Sequence, residues 1–375
     1  MKLSIKQQQL SSGLSIVSRA VSPRSTLPVL GNVLLASDDG RLRLSATNLE
    51  LGITAWIDAS IDVEGSTTVP ARTFADLIST LPSEGVSLTL DEKKQILNVK
   101  SGGSVTDIKV IDADEFPPMP IPDLSEGIQM NVGEFKEIIH QVAFSASTDD
   151  ARPVLQGVLI TVDDSTITLA ATDGFRISVR KAALTSGSPR TLKAIVPARA
   201  LNELARIATD SAQTVTMIIQ PERGQVLFHL KDAELVSQLI EGNFPDYKVI
   251  IPKSYKTTTV LSTSAFLKAC KQTEIIARDS NNVVRLNIPG GGDQNAQVEL
   301  TAQSEETGSG VSRIEAAVEG QGMVIAFNVV YLREVLDVIK SPSVVLETNA
   351  SNTPGMIRPV GDEDFKHVIM PMHLG

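Results

Sequence analysis

The chain has 375 residues, 42% of them hydrophobic, and a formal net charge of −10 at pH 7, which together predict an ordinary globular protein of roughly two to four domains. The N-terminus has no apolar stretch of signal-peptide type, no run approaches membrane-spanning length, and the single cysteine, Cys270, excludes an intrachain disulfide, so we expect a cytoplasmic protein. The acidity alone argues against a nucleic-acid binder, because such proteins usually carry a basic face.

Four sequence blocks recur in the same order, 125 to 128 residues apart. The matching blocks are 26–35 with 152–160, 44–51 with 169–176, 69–72 with 196–199, and 116–117 with 244–245. A period of this length is far longer than that of a solenoid repeat, so it indicates duplication of a whole domain. The sequence therefore predicts three domains, at residues 1–124, 125–254 and 255–375.

Each third of the chain predicts a strand, a helix, several strands, a second helix and further strands. The predicted helical windows are 6–24, 71–82, 132–147, 197–209, 263–278 and 327–340. In the middle unit, Phe135, Ile139 and Val142 fall on one helical stripe. Runs of alternating polar and apolar residues, such as 41–45 and 225–230, are typical of antiparallel strands with one solvent-exposed face. We predict an α+β fold with three tandem copies of a two-helix plus antiparallel-sheet domain.

Proline-rich segments join the predicted units. They span residues 116–122 and 244–252. Proline stiffens a chain, so we expect extended, semi-rigid connectors.

The charges are unevenly distributed between helices and the rest of the chain. The six helical windows contain twelve basic and seven acidic residues, so the excess of acid lies in strands and loops. If the helices faced a shared hole, its wall would be positive and suited to phosphate contacts, which carry no sequence information. The alternative is that helices merely carry long cationic side chains. Aromatic residues make up only 4%, so no platform for stacking bases is evident.

Nothing in the sequence isolates a catalytic centre. The four histidines form no metal-spaced pair, and Cys270 lies on the apolar side of its helix, which favours core packing over a nucleophile. Neither 308–310 nor 290–292 has the context of a phosphate-binding loop. We expect no catalytic residue, no metal and no cofactor. A repeat-built binding or hydrolytic protein that acts as a monomer remains the alternative to a scaffold.

The motifs together resemble the bacterial sliding clamps, the β subunits of DNA polymerase III. The residues that carry the resemblance are Thr26–Asn32, Val69–Arg72, Ala171–Gly174, Asn243–Tyr247 and Val368–Leu374. The resemblance implies a head-to-tail homodimer that forms a ring around double-stranded DNA without reading its sequence. It also implies a groove that docks peptides of the replicative DNA polymerase, the clamp loader and other replication and repair proteins.

The resemblance assigns residues to that groove and to the subunit interface. The groove residues are Leu155, Thr172, Gly174, Phe175, Arg176, Ile177, Pro245, Val249, Ile250, Val368, Ile369, Met370, Pro371 and Met372. At the interface, Ile275 and Ile276 of one chain are expected against Thr106 and Ile108 of the other. Thr106 is smaller than the apolar residue that is common at this position in that family. Gly174 also suits a turn, and 370–372 fits either a core strand or an exposed edge.

The predicted DNA contacts come from two sources. The resemblance points to Arg24 and Arg152. The basic helices add Arg72, Lys136, Arg199, Arg206, Lys268 and Lys271. Arg152 follows two aspartates, so a local ion pair of little energetic value is an equal alternative there.

Overall fold

The computed structural model has the predicted α+β class. The part of the chain that the structure describes contains six α-helices, and its strands pair antiparallel in sheets of five, eight and twelve strands. The described residues are 1–22, 27–121, 123–184, 191–292 and 296–373. Each predicted helical window contains one of the helices, so the helix predictions are confirmed.

The chain divides into two compact units. The first unit combines residues 1–134 with 199–239, and the second combines 135–198 with 240–375. The five- and eight-stranded sheets belong to the first unit and the twelve-stranded sheet to the second. The middle repeat therefore contributes strands to both units, and the domain boundaries near residues 124 and 254 stay a prediction.

The first repeat places its two helices after β1 and β6. Its elements are β1 (Lys2–Lys6), α1 (Gln7–Val17), β2 (Asn32–Asp38), β3 (Arg41–Thr47), β4 (Leu51–Asp58), β5 (Ser60–Val63), β6 (Ser66–Pro70), α2 (Ala71–Thr80), β7 (Gly85–Asp91), β8 (Ile96–Ser101) and β9 (Ser104–Lys109). Helix α2 begins directly after Pro70, where a missing N–H costs nothing, and it buries Phe74 and Ile78.

The second repeat follows the same order. Its elements are β10 (Ile128–Asn131), α3 (Val132–Val142), β11 (Gly157–Asp163), β12 (Thr166–Thr172), β13 (Arg176–Ala183), β14 (Leu192–Pro197), α4 (Ala198–Ile207), β15 (Thr214–Gln220), β16 (Gln225–His229) and β17 (Ala233–Gln238). The predicted stripe of α3 is buried at Phe135, Ile139 and Val142.

The third repeat has the longest described strand, β21, and an extensive buried core. Its elements are β18 (Thr257–Ser262), α5 (Thr263–Ala277), β19 (Val283–Ile288), β20 (Gln297–Ser304), β21 (Gly308–Gly320), β22 (Met323–Asn328), α6 (Val329–Val338), β23 (Ser343–Thr348), β24 (Gly355–Pro359) and β25 (Phe365–Ile369). Cys270 lies in a core with Phe266 and Phe327, and burial raises the pKa of its thiol. Core packing of Cys270 is confirmed.

Sheets continue from one repeat into the next. The eight-stranded sheet runs β10-β15-β16-β17-β4-β3-β2-β6, and the twelve-stranded sheet runs β14-β11-β12-β13-β25-β24-β23-β18-β21-β20-β19-β22. Thus β17 of the second repeat pairs with β4 of the first, and β25 of the third pairs with β13 of the second. The five-stranded sheet, β5-β1-β7-β8-β9, ends at β9.

The second connector is not fully extended, so that prediction is wrong there. Residues Tyr247–Val249 form a single 3₁₀ turn. The Asp246 side chain accepts a hydrogen bond from the Lys248 backbone N–H at 3.2 Å. Such local capping lets aspartate start a turn even among prolines.

Gly320 is a position where the fold should tolerate no side chain. Its φ is +106°, and an added Cβ would lie 2.0 Å from the Lys256 carbonyl oxygen. We predict that Gly320→Ala lowers the free energy of unfolding by about 3 kcal/mol or more. Gly361→Ala is the control, because Gly361 has φ +81° and no atom within 4 Å; it should cost about 1 kcal/mol. Urea and thermal unfolding of both variants would measure this, and equal losses would contradict the steric explanation.

Candidate functional site

An almost wholly apolar cleft of about 450 Å³ opens beside the turn between β12 and β13. Its walls come from that turn, from the connector after β17 and from the end of β25. The lining residues are Leu155, Thr172, Gly174, Phe175, Arg176, Ile177, Pro245, Tyr247, Ile250, Val368 and Met370. An apolar cleft with few polar groups is typical of sites that bind apolar side chains or a small ligand.

Ten of the fourteen residues predicted for a peptide groove line this one cleft. Tyr247 lines it too and was missed by the sequence reasoning, although it ends one of the motifs that carried the resemblance. Its side chain is buried, and it belongs to a small core with Phe244 and Ile177. What binds in the cleft stays a prediction.

The C-terminal strand turns only alternate side chains toward the cleft. Val368 and Met370 line it, whereas Ile369 is 1% exposed and packs in the core of the third repeat. Successive side chains of a strand point to opposite faces, which explains the difference. Pro371 and Met372 do not line the cleft, and the Met372 backbone N–H donates to the Ala326 carbonyl oxygen at 2.8 Å.

Met370 lies at the rim of the cleft, and Val249 lies outside it. Met370 is 41% exposed, so the end of the chain forms an exposed edge as well as a strand. Val249 is 77% exposed and lies outside the lining, because the 3₁₀ turn directs it to solvent.

A hydrogen-bonded turn shapes the floor of the cleft. The Thr172 hydroxyl accepts from the Gly174 N–H at 3.0 Å and donates to the Arg176 carbonyl at 2.7 Å. Asp173 Oδ1 accepts from the N–H groups of Phe175 and Arg176 at 2.9 and 3.0 Å. Gly174 has φ +94°, which favours glycine, so the predicted turn role is confirmed. The turn leaves Phe175 largely exposed at the rim.

A buried chain of hydrogen bonds crosses the pairing of β13 with β25. The hydroxyls of Ser145 and Ser178 are 2.8 Å apart, and Ser178 Oγ lies 2.7 Å from His367 Nδ1. The His367 ring stacks on Phe144 with centroids 5.5 Å apart. Burial, and next the charge of Arg176, lower the pKa of His367 well below its usual 6.5. His367 is therefore neutral in the folded protein.

Most predicted DNA contacts lie on the helices, although Arg24 is outside the described residues. Arg72 is on α2, Lys136 on α3, Arg199 and Arg206 on α4, and Lys268 and Lys271 on α5. All of these side chains except the partly buried Lys136 are exposed.

Helical carboxylates offset part of this positive charge. Arg206 pairs with Glu203 at 2.8 Å, and Lys271 pairs with Asp337 at 3.1 Å. Arg72 approaches Asp76 at 3.8 Å. The Arg72–Asp76 and Lys271–Asp337 pairs are exposed and therefore weak, whereas the side chain of Glu203 is only 11% exposed. Phosphate contacts by these cations stay a prediction.

Arg152 makes the local contacts that its sequence neighbours suggested. Its Nε donates to Asp149 Oδ2 at 3.1 Å, and its Nη1 donates to the Asp173 carbonyl at 3.0 Å. The ion pair is thus present, beside the turn that shapes the cleft. A DNA contact by Arg152 stays a prediction.

The predicted interface residues lie near two strands that each have an unpaired edge. β9 ends the five-stranded sheet, and the stretch 308–314 of β21 pairs with β20 on one side only. Both pairings between repeats join the third strand after the first helix of one repeat to the last strand of the following repeat: β4 to β17 and β13 to β25. By the same order, β21 of the third repeat and β9 of the first are the corresponding strands, and they do not pair with each other within the described residues.

The strand registers show which residues of β9 and β21 correspond to the residues that pair between repeats. Thr106 of β9 occupies the place of Leu235 and His367, and Gly310 of β21 occupies the place of their partners Ile53 and Ser178. Ile276 packs over Gly310, since a Cβ there would lie 3.3 Å from its Cγ1.

The predicted interface residues differ in how exposed they are in the single chain. Ile275, 62% exposed, takes the place of Phe144. Thr106 is half-buried, whereas Ile108 is already buried within the first repeat.

The described residues offer no centre for metal chemistry. Among residues 1–22, 27–121, 123–184, 191–292 and 296–373, no group of three or more His, Cys, Asp or Glu side chains is placed to hold a metal ion. Over those same ranges, no helix is both long enough and apolar enough to cross a membrane.

Family models match nearly the whole chain. The N-terminal domain of the DNA polymerase III beta subunit matches residues 1–120, its central domain matches 129–246, and its C-terminal domain matches 248–373. The "Beta sliding clamp" of Synechococcus elongatus is 32% identical over 377 residues, and that of Synechocystis sp. is 33% identical over 392 residues. Both alignments cover 100% of each chain.

Solved structures give the same relationship. The DNA polymerase sliding clamp of Bacillus subtilis superimposes with a TM-score of 0.94 at 28% identity. The Pseudomonas aeruginosa sliding clamp bound to griselimycin superimposes with a TM-score of 0.93 at 27% identity. Each comparison covers 100% of both chains.

The buried His367 makes stability depend on pH. Its pKa is lowered in the folded state, so the unfolded chain takes up a proton more readily below pH 6.5. Stability is complete above about pH 6.5 and falls as the pH drops toward the folded pKa, by up to about 1.4 kcal/mol per unit. His367→Asn has no titrating ring, so between pH 7.5 and 5.5 it should lose about 1 kcal/mol less than the parent. Equal pH slopes in chemical unfolding would contradict this assignment.

Proposed function

We propose that this chain, which belongs to the family of DNA polymerase III beta subunits, is a sliding clamp that encircles duplex DNA and tethers the replicative DNA polymerase for processive synthesis. It is a non-catalytic processivity factor of the polymerase rather than an enzyme. The observation that carries the proposal is the match of three successive clamp-domain models along nearly the whole chain. As a factor that acts on DNA inside the cell, it would work in the cytoplasm.

The ring would close as a head-to-tail dimer through strands that the chain leaves unpaired. Backbone N–H and C=O groups along an open edge are a template for another strand, whatever the side chains. β9 of one copy would pair with residues 308–314 of β21 in the other, as β17 pairs with β4 and β25 with β13. Two such contacts, related by a two-fold axis, use up both edges and make a closed assembly.

The register of the internal pairings supports particular contacts in that dimer. Thr106 would face Gly310, with Ile276 over it and Ile275 beside it. Val105 would stand opposite Val311, and these side chains are 62% and 50% exposed in the single chain. Burying exposed apolar residues on both sides favours association, although Thr106 contributes less than a larger side chain would.

DNA would be held by charge and topology rather than by base contacts. The proposed contacts are Arg24, Arg72, Lys136, Arg152, Arg199, Arg206, Lys268 and Lys271. Contacts from cationic side chains to phosphates are independent of sequence and let a protein slide. A closed ring adds retention without tight binding, so weakly paired surface cations suffice.

The apolar cleft would receive short peptides from the partners of the clamp. The polymerase, the clamp loader and other replication and repair proteins would compete for it, each inserting a few apolar side chains. Met370 at the rim suits varied partners, because an unbranched thioether adapts to different shapes. A small number of buried side chains would carry most of the affinity.

The proposed function predicts retention that depends on DNA topology. The protein would be loaded onto a nicked circular plasmid with a clamp loader and ATP, isolated on the DNA, and followed after a restriction enzyme linearises the plasmid. We expect it to stay on circles and to run off linear ends within minutes. A loader shown to load another clamp serves as the positive control. Equal retention on circular and linear DNA would rule out a ring.

The proposed interface predicts a dimer that one charge can break. Ile275→Lys would bury an unpaired ammonium group between subunits, so the dimer dissociation constant should rise at least about 100-fold, or roughly 3 kcal/mol. Val324→Lys, at a residue 43% exposed on β22, is the control and should leave the dimer intact. Sedimentation velocity over a dilution series measures both. Dissociation of both variants, or of neither, would contradict the interface.

A further inference from the structure

Arg176 lines the cleft, but its charged end is fixed elsewhere. Its side chain is only 8% exposed. Nε donates to Asp173 Oδ2 at 3.1 Å, Nη1 to Glu334 Oε2 at 2.5 Å, and Nη2 to the Phe144 carbonyl at 2.9 Å. The guanidinium also lies over the rings of Tyr331 and Phe144, 4.3 and 5.2 Å from their centroids. Each of its three nitrogens thus donates to a group outside the cleft lining.

The two carboxylates that bind Arg176 differ in how many other hydrogen bonds they accept. Asp173 already accepts two backbone N–H groups with Oδ1, so only its Oδ2 serves the guanidinium. Glu334, on α6, supplies the contact to Nη1 and is not part of the cleft lining. Its other oxygen lies 3.7 Å from Arg333 Nη2, which helps to orient it.

From this arrangement we infer that Glu334 is a positioning residue that keeps the cleft apolar by holding the Arg176 guanidinium against α6. It thereby sets the preference of the cleft for uncharged, apolar peptide side chains over acidic ones. The inference rests on the proposed function, since it specifies what the peptide groove selects.

The physical reason is the cost of an unpaired charge in a buried place. Without the Glu334 carboxylate, Nη1 loses its charged partner while the side chain remains largely desolvated. The adjoining cleft opens to solvent and offers the guanidinium a place to regain water or to meet another carboxylate. If the Arg176 guanidinium were free to enter the cleft, burying it under apolar peptide groups would cost free energy. A peptide carboxylate would instead be attracted to it through a charge-assisted hydrogen bond.

A purely structural role for Glu334 makes a different prediction. If the pair only fastened α6 to β13, its loss would weaken every peptide to a similar degree. The inferred role changes the ratio between two peptides instead. That ratio should recover when the positive charge itself is removed.

The test uses a short peptide copied from the clamp-binding tail of the cognate replicative polymerase. A second peptide has glutamate in place of one large apolar residue. Fluorescence polarisation gives the dissociation constants of both for the intact dimeric protein and its variants. Glu334→Gln should shift the preference toward the glutamate peptide by about tenfold, whereas Glu334→Asp, which keeps the charge, should shift it much less.

The double variant Arg176→Gln with Glu334→Gln provides the rescue. It has no charge left to expose, so its preference should return to that of the parent. Thermal melting and sedimentation establish that each variant is folded and dimeric. If Glu334→Gln does not fold, the comparison of the double variant with Arg176→Gln alone decides: the inference requires equal preferences in these two.

Outcomes separate the inference from the proposed function. Met370→Asp, at the rim of the cleft, should weaken the apolar peptide in either case. If the parent binds neither peptide, or Met370→Asp has no effect, the cleft is not a peptide groove and both proposals fall. If binding requires Met370 but Glu334→Gln weakens both peptides equally or leaves their ratio unchanged, only the positioning role is overturned.

Discussion

Antiparallel pairing between the strands of neighbouring repeats is the interaction on which the rest of the structure depends. β17 with β4, and β25 with β13, turn separate sheets into continuous ones, and the cleft lies beside the second of these pairings. Backbone hydrogen bonds carry this pairing, so it can repeat where side chains differ. The same strand pairing covers sheet edges within the chain, and we propose that it also joins the open edges of two copies.

The side chains then give each pairing its own character. At corresponding positions one pairing holds Ile53 against Leu235, and the other holds Ser178 against His367. An apolar contact tolerates any pH, whereas the buried histidine requires a neutral ring. The proposed contact between subunits, Thr106 against Gly310, has the smallest side chains of the three.

The contrast between the repeats also explains why the cleft forms where it does. The first repeat has the same turn, with Asn48 Oδ1 accepting from the Glu50 and Leu51 N–H groups. There Gly52 takes the place of Ile177, and Met119 fills the space, its Cε lying 2.5 Å from where a Cβ would be. In the second repeat Ile177 and Tyr247 take these two places, and both line the cleft.

Local patterns in the sequence were sufficient for some features and not for others. The repeats and apolar stripes predicted all six helices, and the Asp173–Gly174 pair predicted the turn, because each depends on neighbours in the chain. The inward direction of Ile369 and the 3₁₀ turn at Tyr247 depend on strand phase and on one aspartate cap. The pair of Arg176 with Glu334 joins residues 158 positions apart, and nothing local in the sequence indicates it.

A covalently closed ring on DNA would test encirclement most directly. Val105→Cys with Val311→Cys places thiols on strands proposed to pair between subunits, where paired Cα atoms are about 5 Å apart and suit a disulfide. Cys270 is buried and should not interfere. After loading on a nicked plasmid and oxidation, the protein should remain linked to circular DNA in SDS and be released by linearisation or by a reductant. A dimer closed by both disulfides that leaves circular DNA in SDS, or the absence of any disulfide-linked dimer, would contradict the account.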